Sequence, residues 1–318
     1  MTLVVAVVGP TATGKSDLGL ALAERLGGEV VNADALQLYR GLDIGTAKLA
    51  PAERRGVPHH LLDVLDPTED ASVAAYQRDA RAAVADIGAR GRRPVVVGGS
   101  GLYVRALLDR IEFPGTDPEV RARLEARVEA EGARALHAEL AAVDPVAADS
   151  IGPRNARRIV RALEVVALTG RPYSANLPGH DYAVPAVQIG LDCDRAVLDA
   201  RVEARVDRMW AAGLVDEVRG LVESGIGRTA ARAVGYAEVI AALRGEITLD
   251  EARAQVVAGT RRLARKQMGW FGRDPRVHWL DAQDPDLPER ALALVAAADA
   301  GELGLATADP APRRSLGS

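Results

Sequence analysis

The chain has 318 residues, 48% of them hydrophobic and 3% aromatic, with a net charge of −4. That is enough to bury a sizeable core of Val, Leu, Ile and Ala, in one large domain or a domain with an insertion. It excludes a strongly basic nucleic-acid binder, so any RNA contact must use local patches; the single cysteine, Cys193, excludes an internal disulfide framework and fits a reducing, cytoplasmic setting.

The apolar run Leu3–Val8 is short and has no basic flank. It is expected to be a buried strand, with no membrane partner and no signal peptide. A Gly-rich turn follows, then a helix over Ser16–Leu26 that Gly27-Gly28 stops. Glu29–Asn32 is a second short strand, ending at Asp34, and Pro94–Val97 a third, ending in Gly98-Gly99. Strand, turn and helix in this order imply a parallel sheet with helices on both faces. From about Pro114 to Pro185 the character changes. Asp117–Ala130, Ala133–Val143 and Asn155–Leu168 all have helical spacing, with no strand between them. Val187–Leu191 resumes a strand, and helical patterns follow at Val197–Ser224, Ala230–Arg244 and Leu249–Phe271. The expected fold class is α/β: a P-loop NTPase-like parallel sheet core with an all-helical insertion domain. The core takes residues 1–113 plus 186–300, the insertion 114–185, and the Ala/Pro/Gly/Ser-rich stretch 301–318 is expected to be a disordered tail.

Gly9-Pro10-Thr11-Ala12-Thr13-Gly14-Lys15-Ser16 fits G-x-x-x-x-G-K-[ST], with a strand before it and a helix after it. Such a loop turns its backbone N–H groups toward phosphate oxygens, and the helix start adds partial positive charge. Lys15 supplies a point charge, and the Ser16 hydroxyl is the expected ligand of a Mg²⁺ cofactor. The usual expectation is ATP or GTP binding in an NTPase or kinase. Two features weigh against it: Pro94–Val97 runs into Gly98-Gly99-Ser100 rather than an acidic residue, and no Asn-Lys-x-Asp element is present. Asp34, just beyond the second strand, should share the crevice with the P-loop. There it could ligate metal through water, accept a proton from a nucleophile, or simply cap a helix.

Further blocks make the pattern specific. Asn32-Ala33-Asp34-Ala35-Leu36-Gln37-Leu38-Tyr39-Arg40-Gly41-Leu42-Asp43-Ile44-Gly45-Thr46-Ala47-Lys48, Pro58–Asp63, Val97–Tyr103, Arg161–Val165, Val234-Gly235-Tyr236 and Arg265-Lys266-Gln267 through Trp270-Phe271 follow in order. Together with the P-loop they resemble the bacterial tRNA dimethylallyltransferase (tRNA isopentenyltransferase) family over roughly residues 3 to 282. The resemblance implies transfer of a dimethylallyl group from dimethylallyl diphosphate to N6 of adenosine 37, in tRNAs reading codons that begin with U, with release of diphosphate. It implies Gly9 to Ser16 as the diphosphate cradle, Asp34 as the base, and Lys15 as the charge on the leaving group. Ser100, at a position usually Thr, would contact substrate. Arg201 and Arg205 match an Arg-rich stretch of which at least one reaches the diphosphate; their position alone equally suits a solvated helix face. The resemblance also implies a monomer.

The tRNA anticodon stem-loop is the implied partner. Arg154, Arg157, Arg158 and Arg161 recur at helical spacing, with Ile159, Leu163 and Val166 on the other side. The matched segment Arg157, Arg158, Ile159, Val160 and Arg161 would meet the stem-loop. Arg261, Arg262, Arg265 and Lys266 form a second basic cluster beside Gln267, and Arg232, Gly235 and Tyr236 are further candidates, Tyr236 alternatively as core. Asp34, Ala35, Leu36, Gln37 and Ser100 would meet the target base, flipped out of its stack into a channel. His59 and His60 have no further His or Cys nearby and suit a structural role. Ala35, Ala237 and Gly269 depart from the usual Ser, Lys or Arg, and Thr of the family. The rival readings are a P-loop small-metabolite kinase, an adenylate isopentenyltransferase using free nucleotide, and an RNA-binding module with a vestigial P-loop.

Overall fold

The computed structural model describes residues 2–176 and 179–303. Six strands, β1 (Val4–Val8), β2 (Gly28–Asn32), β3 (His59–His60), β4 (Arg93–Val97), β5 (Ala186–Asp192) and β6 (Val277–Asp281), form one sheet in the order β3-β2-β4-β1-β5-β6. All neighbouring pairs are parallel. β1 is central, with Val5 level with Val95 on one side and Val187 on the other, and all five of its residues are buried. A strand covered on both faces needs this unbroken apolar run rather than alternation.

On one face α1 (Lys15–Arg25) buries Leu18, Leu22 and Ala23 against Val5, Val7, Val30, Val95, Val187 and Ile189. The other face is served by α2 (Val73–Ala89), which packs on β2 and β4, and α3 (Gly101–Leu108), which packs on α2. The four helices α4 (Pro118–Glu131), α5 (Ala133–Val143), α6 (Pro145–Ile151) and α7 (Ala156–Thr169) make a separate compact unit, Asp109–Asp181. Its boundaries fall slightly before the 114–185 expected. Leu136, Leu140, Ile159 and Ala162 are wholly buried at its centre. Glu164 is buried there too, held by Arg121, Arg161 and the Asp117 N–H.

The remaining helices are α8 (Arg195–Ala211), α9 (Leu214–Ser224), α10 (Arg228–Ala231), α11 (Tyr236–Leu243), α12 (Leu249–Phe271) and α13 (Leu287–Asp299). The helix expected over Val197–Ser224 is two, divided at Gly213, which takes φ 96° as the cap of α9. Leu249–Phe271 is helical over the span expected, opened by a Thr248–Glu251 capping box. β6 and α13 carry Val277, Ala291 and Val295 into the core. Of the tail expected over 301–318, residues 304–318 lie outside the described residues.

Candidate active site

Every strand of a parallel sheet points its carboxyl end the same way, so the loops after β1, β2 and β4 meet. They line a cleft of about 730 Å³ together with the arginines of α8. Of the Gly9 to Ser16 loop expected to cradle phosphate, Thr11 to Ser16 line this cleft. Gly14 is the N-cap of α1 and has no side chain to cap it, so the first N–H groups of that 11-residue helix are open to an anion. Thr13 braces the turn through a hydroxyl donated to Pro10 O (2.8 Å). Lys15 donates to the same carbonyl (2.5 Å).

Burial pushes the Lys15 ammonium down to about 7. The Arg205 charge adds to that, and Asp34 opposes it. Burial likewise lowers Arg205, which Asp34 supports and Arg208 opposes. Arg201, Arg205 and Arg208 all line the cleft from α8, at spacings of four and three residues that place them on one helix face. The cleft therefore gathers more cations than carboxylates, and an anionic ligand would relieve them.

Asp34 is held from behind by Asn32, which is 4% exposed. Asn32 Nδ2 donates to Asp34 O (3.0 Å) and Leu61 O (2.9 Å), and Asp34 N–H donates to Asn32 Oδ1 (2.9 Å). Tyr76 OH donates to Asn32 O (2.9 Å), tying this turn to α2. Leu36 N–H donates to Asp34 Oδ1 (2.9 Å), so one carboxylate oxygen is fixed. Gly98 lets the β4 loop close on this turn: a Cβ there would lie 2.3 Å from the Ala33 carbonyl carbon. Next to it, Ser100 Oγ accepts from Ala35 N–H (3.2 Å), which leaves its own O–H to donate.

Several residues expected to meet RNA are committed elsewhere. Ile159 and Val160 are 0% and 5% exposed in the helical core, because α7 turns its apolar side inward. Arg161 is bound to Glu164, Pro114 O and Gly115 O. Arg154 precedes α7, whose N-cap is Asn155, so it is no part of a helical stripe. Gln267 is 8% exposed, and its Oε1 accepts from Thr11 N–H (2.8 Å): it braces the P-loop. Tyr236 is fully buried and donates to Glu217 Oε1 (2.7 Å), and buried Gly235 donates to Glu238. Arg261 is paired with Asp199 and Glu203. Exposed are Arg157, Arg158, Arg232, Arg262, Arg265 and Lys266, while Ala35, Leu36 and Gln37 are partly so. His59 and His60 bond Val57 O and Glu29, as structural residues do.

The element order and the cation-rich cleft at the carboxyl edge of the sheet define a P-loop-like α/β protein. A family model described as IPP transferase matches residues 37–274. The chain belongs to this family. The tRNA dimethylallyltransferase of Streptomyces coelicolor is 64% identical over 297 residues, 92% of this chain and 95% of that one. That of Thermobifida fusca is 61% identical over 302 residues, 93% and 95% of the two chains. Among solved structures, the tRNA isopentenylpyrophosphate transferase of Bacillus halodurans superposes with a TM-score of 0.70 at 41% identity, covering 95% of this chain and 98% of that one. A eukaryotic dimethylallyltransferase acting on tRNA gives a TM-score of 0.83 at 25% identity, covering 98% and 82%.

Proposed function

We propose that the protein is a tRNA dimethylallyltransferase, moving a dimethylallyl group from dimethylallyl diphosphate to N6 of adenosine 37 in tRNAs reading codons that begin with U. One observation carries this reading: a carboxylate with one oxygen fixed, Asp34, lines the same cleft as Lys15, Arg205 and the P-loop. The relatives' names support the transferred group and the acceptor class.

In this reading the diphosphate lies on Thr11 to Ser16, with its charge met by Lys15, the α1 N–H groups and the α8 arginines. The exocyclic amine of the flipped adenosine attacks the allylic C1. The N6–C1 bond forms, the C1–O bond to diphosphate breaks with its electron pair, and Asp34 Oδ2 takes the N6 proton. Charge grows on the leaving diphosphate as that bond breaks, so cations fixed there in advance stabilise the transition state more than the ground state. Ser100 O–H is available to donate to the incoming base.

Mg²⁺ fits the donor set. Ser16 is exposed at the start of α1, and among the described residues no group of three or more His, Cys, Asp or Glu could hold a metal, so its remaining oxygens would come from the diphosphate and water. Held by Ser16 and the diphosphate, it would neutralise charge on the leaving group. The RNA is met by exposed arginines and Lys266 rather than by a basic protein overall. No helix among the described residues is long and apolar enough to cross a membrane.

The test is direct. Purified protein is incubated with Mg²⁺, labelled dimethylallyl diphosphate and an unmodified tRNA carrying A36-A37-A38, and the RNA is digested for mass spectrometry. N6-dimethylallyl adenosine at position 37 is the expected product. An intact RNA without label would overturn the reading and turn attention to free AMP and ATP as substrates.

A further inference from the structure

Three consecutive backbone N–H groups converge on one carboxylate behind the cleft wall. Asp43 N–H (3.1 Å) and Ile44 N–H (2.7 Å) donate to Glu217 Oε2, and Gly45 N–H donates to Glu217 Oε1 (3.1 Å). Tyr236 OH donates to the same Oε1 (2.7 Å) from the buried core of α9 and α11. Burial and the Glu217 charge both push that phenol up, so it stays a donor. Gly45 is what lets the ring in: a Cβ there would lie 2.5 Å from Tyr236 Cε2. Charge-assisted bonds to successive N–H groups fix a turn far more firmly than neutral ones.

Glu217 itself does not line the cleft; the turn that it grips leads into Thr46, which does. The Thr46 carbonyl accepts from Arg205 Nη2 (3.2 Å) and from Gln37 Nε2 (3.1 Å), and both of those side chains line the cleft. Arg205 is half-buried beside other cations, so its position depends on the acceptors that hold it. The chain of contacts runs from Glu217 to the turn, from the turn to the Thr46 carbonyl, and from there to the guanidinium.

We propose that Glu217 is a positioning residue for the donor site: through the Asp43–Gly45 turn it sets the Thr46 carbonyl and so aims Arg205 at the diphosphate. This rests on the prenyl-transfer reading above. Glu217→Gln keeps the size but removes the charge and sets an amide NH₂ against N–H donors. Donor affinity is measured by calorimetry in the wild type, Glu217→Gln, Arg205→Ala and the double variant, with melting temperatures alongside. Glu217→Gln is expected to weaken dimethylallyl diphosphate about tenfold, and to add less than about twofold once Arg205 is gone, because residues acting in one chain are non-additive. Equal factors in both backgrounds, or unchanged donor affinity in Glu217→Gln, would overturn the proposal; a merely structural role lowers the melting temperature without coupling to Arg205. Tyr236→Phe drops one hydroxyl from the same clamp and carries the same cycle should Glu217→Gln fail to fold, with an expected loss of about two- to threefold that also vanishes with Arg205. Transfer by the wild type is the control. Its absence strikes the prenyl-transfer reading, whereas wild-type transfer with no Glu217–Arg205 coupling strikes this proposal alone.

Discussion

Donor binding is expected to draw a proton onto Lys15. In the free cleft, burial and Arg205 hold the Lys15 ammonium down at about 7. A diphosphate on the P-loop replaces the lost hydration with direct opposite charge and raises that pKa. The sign follows. Below about 7 the free protein already carries the proton, and affinity is highest; above it, each binding event takes up a proton, and affinity falls as pH rises toward the bound-state pKa. Free Lys15 is about half protonated at pH 7 and about one hundredth at pH 9, so the donor Kd should rise about 50-fold across that window. The donor's terminal phosphate, with a second pKa of about 6, has lost its proton before the window opens. Calorimetry at pH 8 in two buffers of different ionisation enthalpy should give uptake of about 0.9 proton per donor bound. A Kd that stays flat from pH 7 to pH 9, with no buffer dependence in the heats, would refute the electrostatic picture of the cleft.

Asp34→Asn should lower transfer by about a hundredfold or more while tRNA binding is kept, since it removes the proton acceptor at nearly unchanged size; filter binding beside product assays separates the two, and equal losses would remove Asp34 as base. Arg158→Ala should weaken tRNA binding and flatten the slope of log Kd against log salt by about 0.7 to 0.9, with the melting temperature unchanged. Arg161→Ala should do the reverse, lowering the melting temperature because the buried Glu164 loses a charged partner, at a cost of about 1–3 kcal/mol. Gly98→Ala forces a Cβ within 2.3 Å of the Ala33 carbonyl carbon. It should cost about 1–3 kcal/mol in chemical denaturation and most of the turnover, by moving the Asp34 turn.

The parts of this molecule that the sequence made legible are those whose signal is local. The P-loop needs its glycines and lysine in a fixed order, and the β1 valines need no partner to be read as buried. Leu249–Phe271 carries its capping box in the sequence, and its span was read correctly. β6 and α13 carry weaker signals: β6 mixes polar with apolar residues and buries only Val277, and α13, though rich in Ala and Leu, buries only Ala291 and Val295. Residue roles escaped where long-range pairing decides them. Arg157, Arg158 and Arg161 look alike in the chain, but Glu164 sits three residues after Arg161, pairs with it and takes it out of the exposed set. Gln267 stands among basic residues, and the Thr11 N–H that it accepts from lies 256 positions away. Arg208 was within reach, since it continues the stripe of Arg201 and Arg205. Glu217 was not: its three donors lie more than 170 positions upstream, and nothing in its own neighbourhood marks it.

The distribution of charge divides the work between the cleft and the surface. Inside, Lys15 and Arg205 are half-buried cations whose charge desolvation disfavours, and Asp34 offsets that only in part. Such a cleft takes whatever ligand brings concentrated negative charge, and that serves a diphosphate whatever its organic group. It cannot tell one RNA from another. Arg157, Arg158, Arg262, Arg265 and Lys266 are exposed and hydrated, so each adds little alone and depends on salt. In the proposed reading, selection of the acceptor falls to contacts with several phosphates and to those proposed for Ala35 to Gln37 and Ser100 with one extruded base. On that reading a chain of net charge −4 serves an RNA substrate because its strong electrostatics are directed to the small anion and local exposed cations are left to the polyanion.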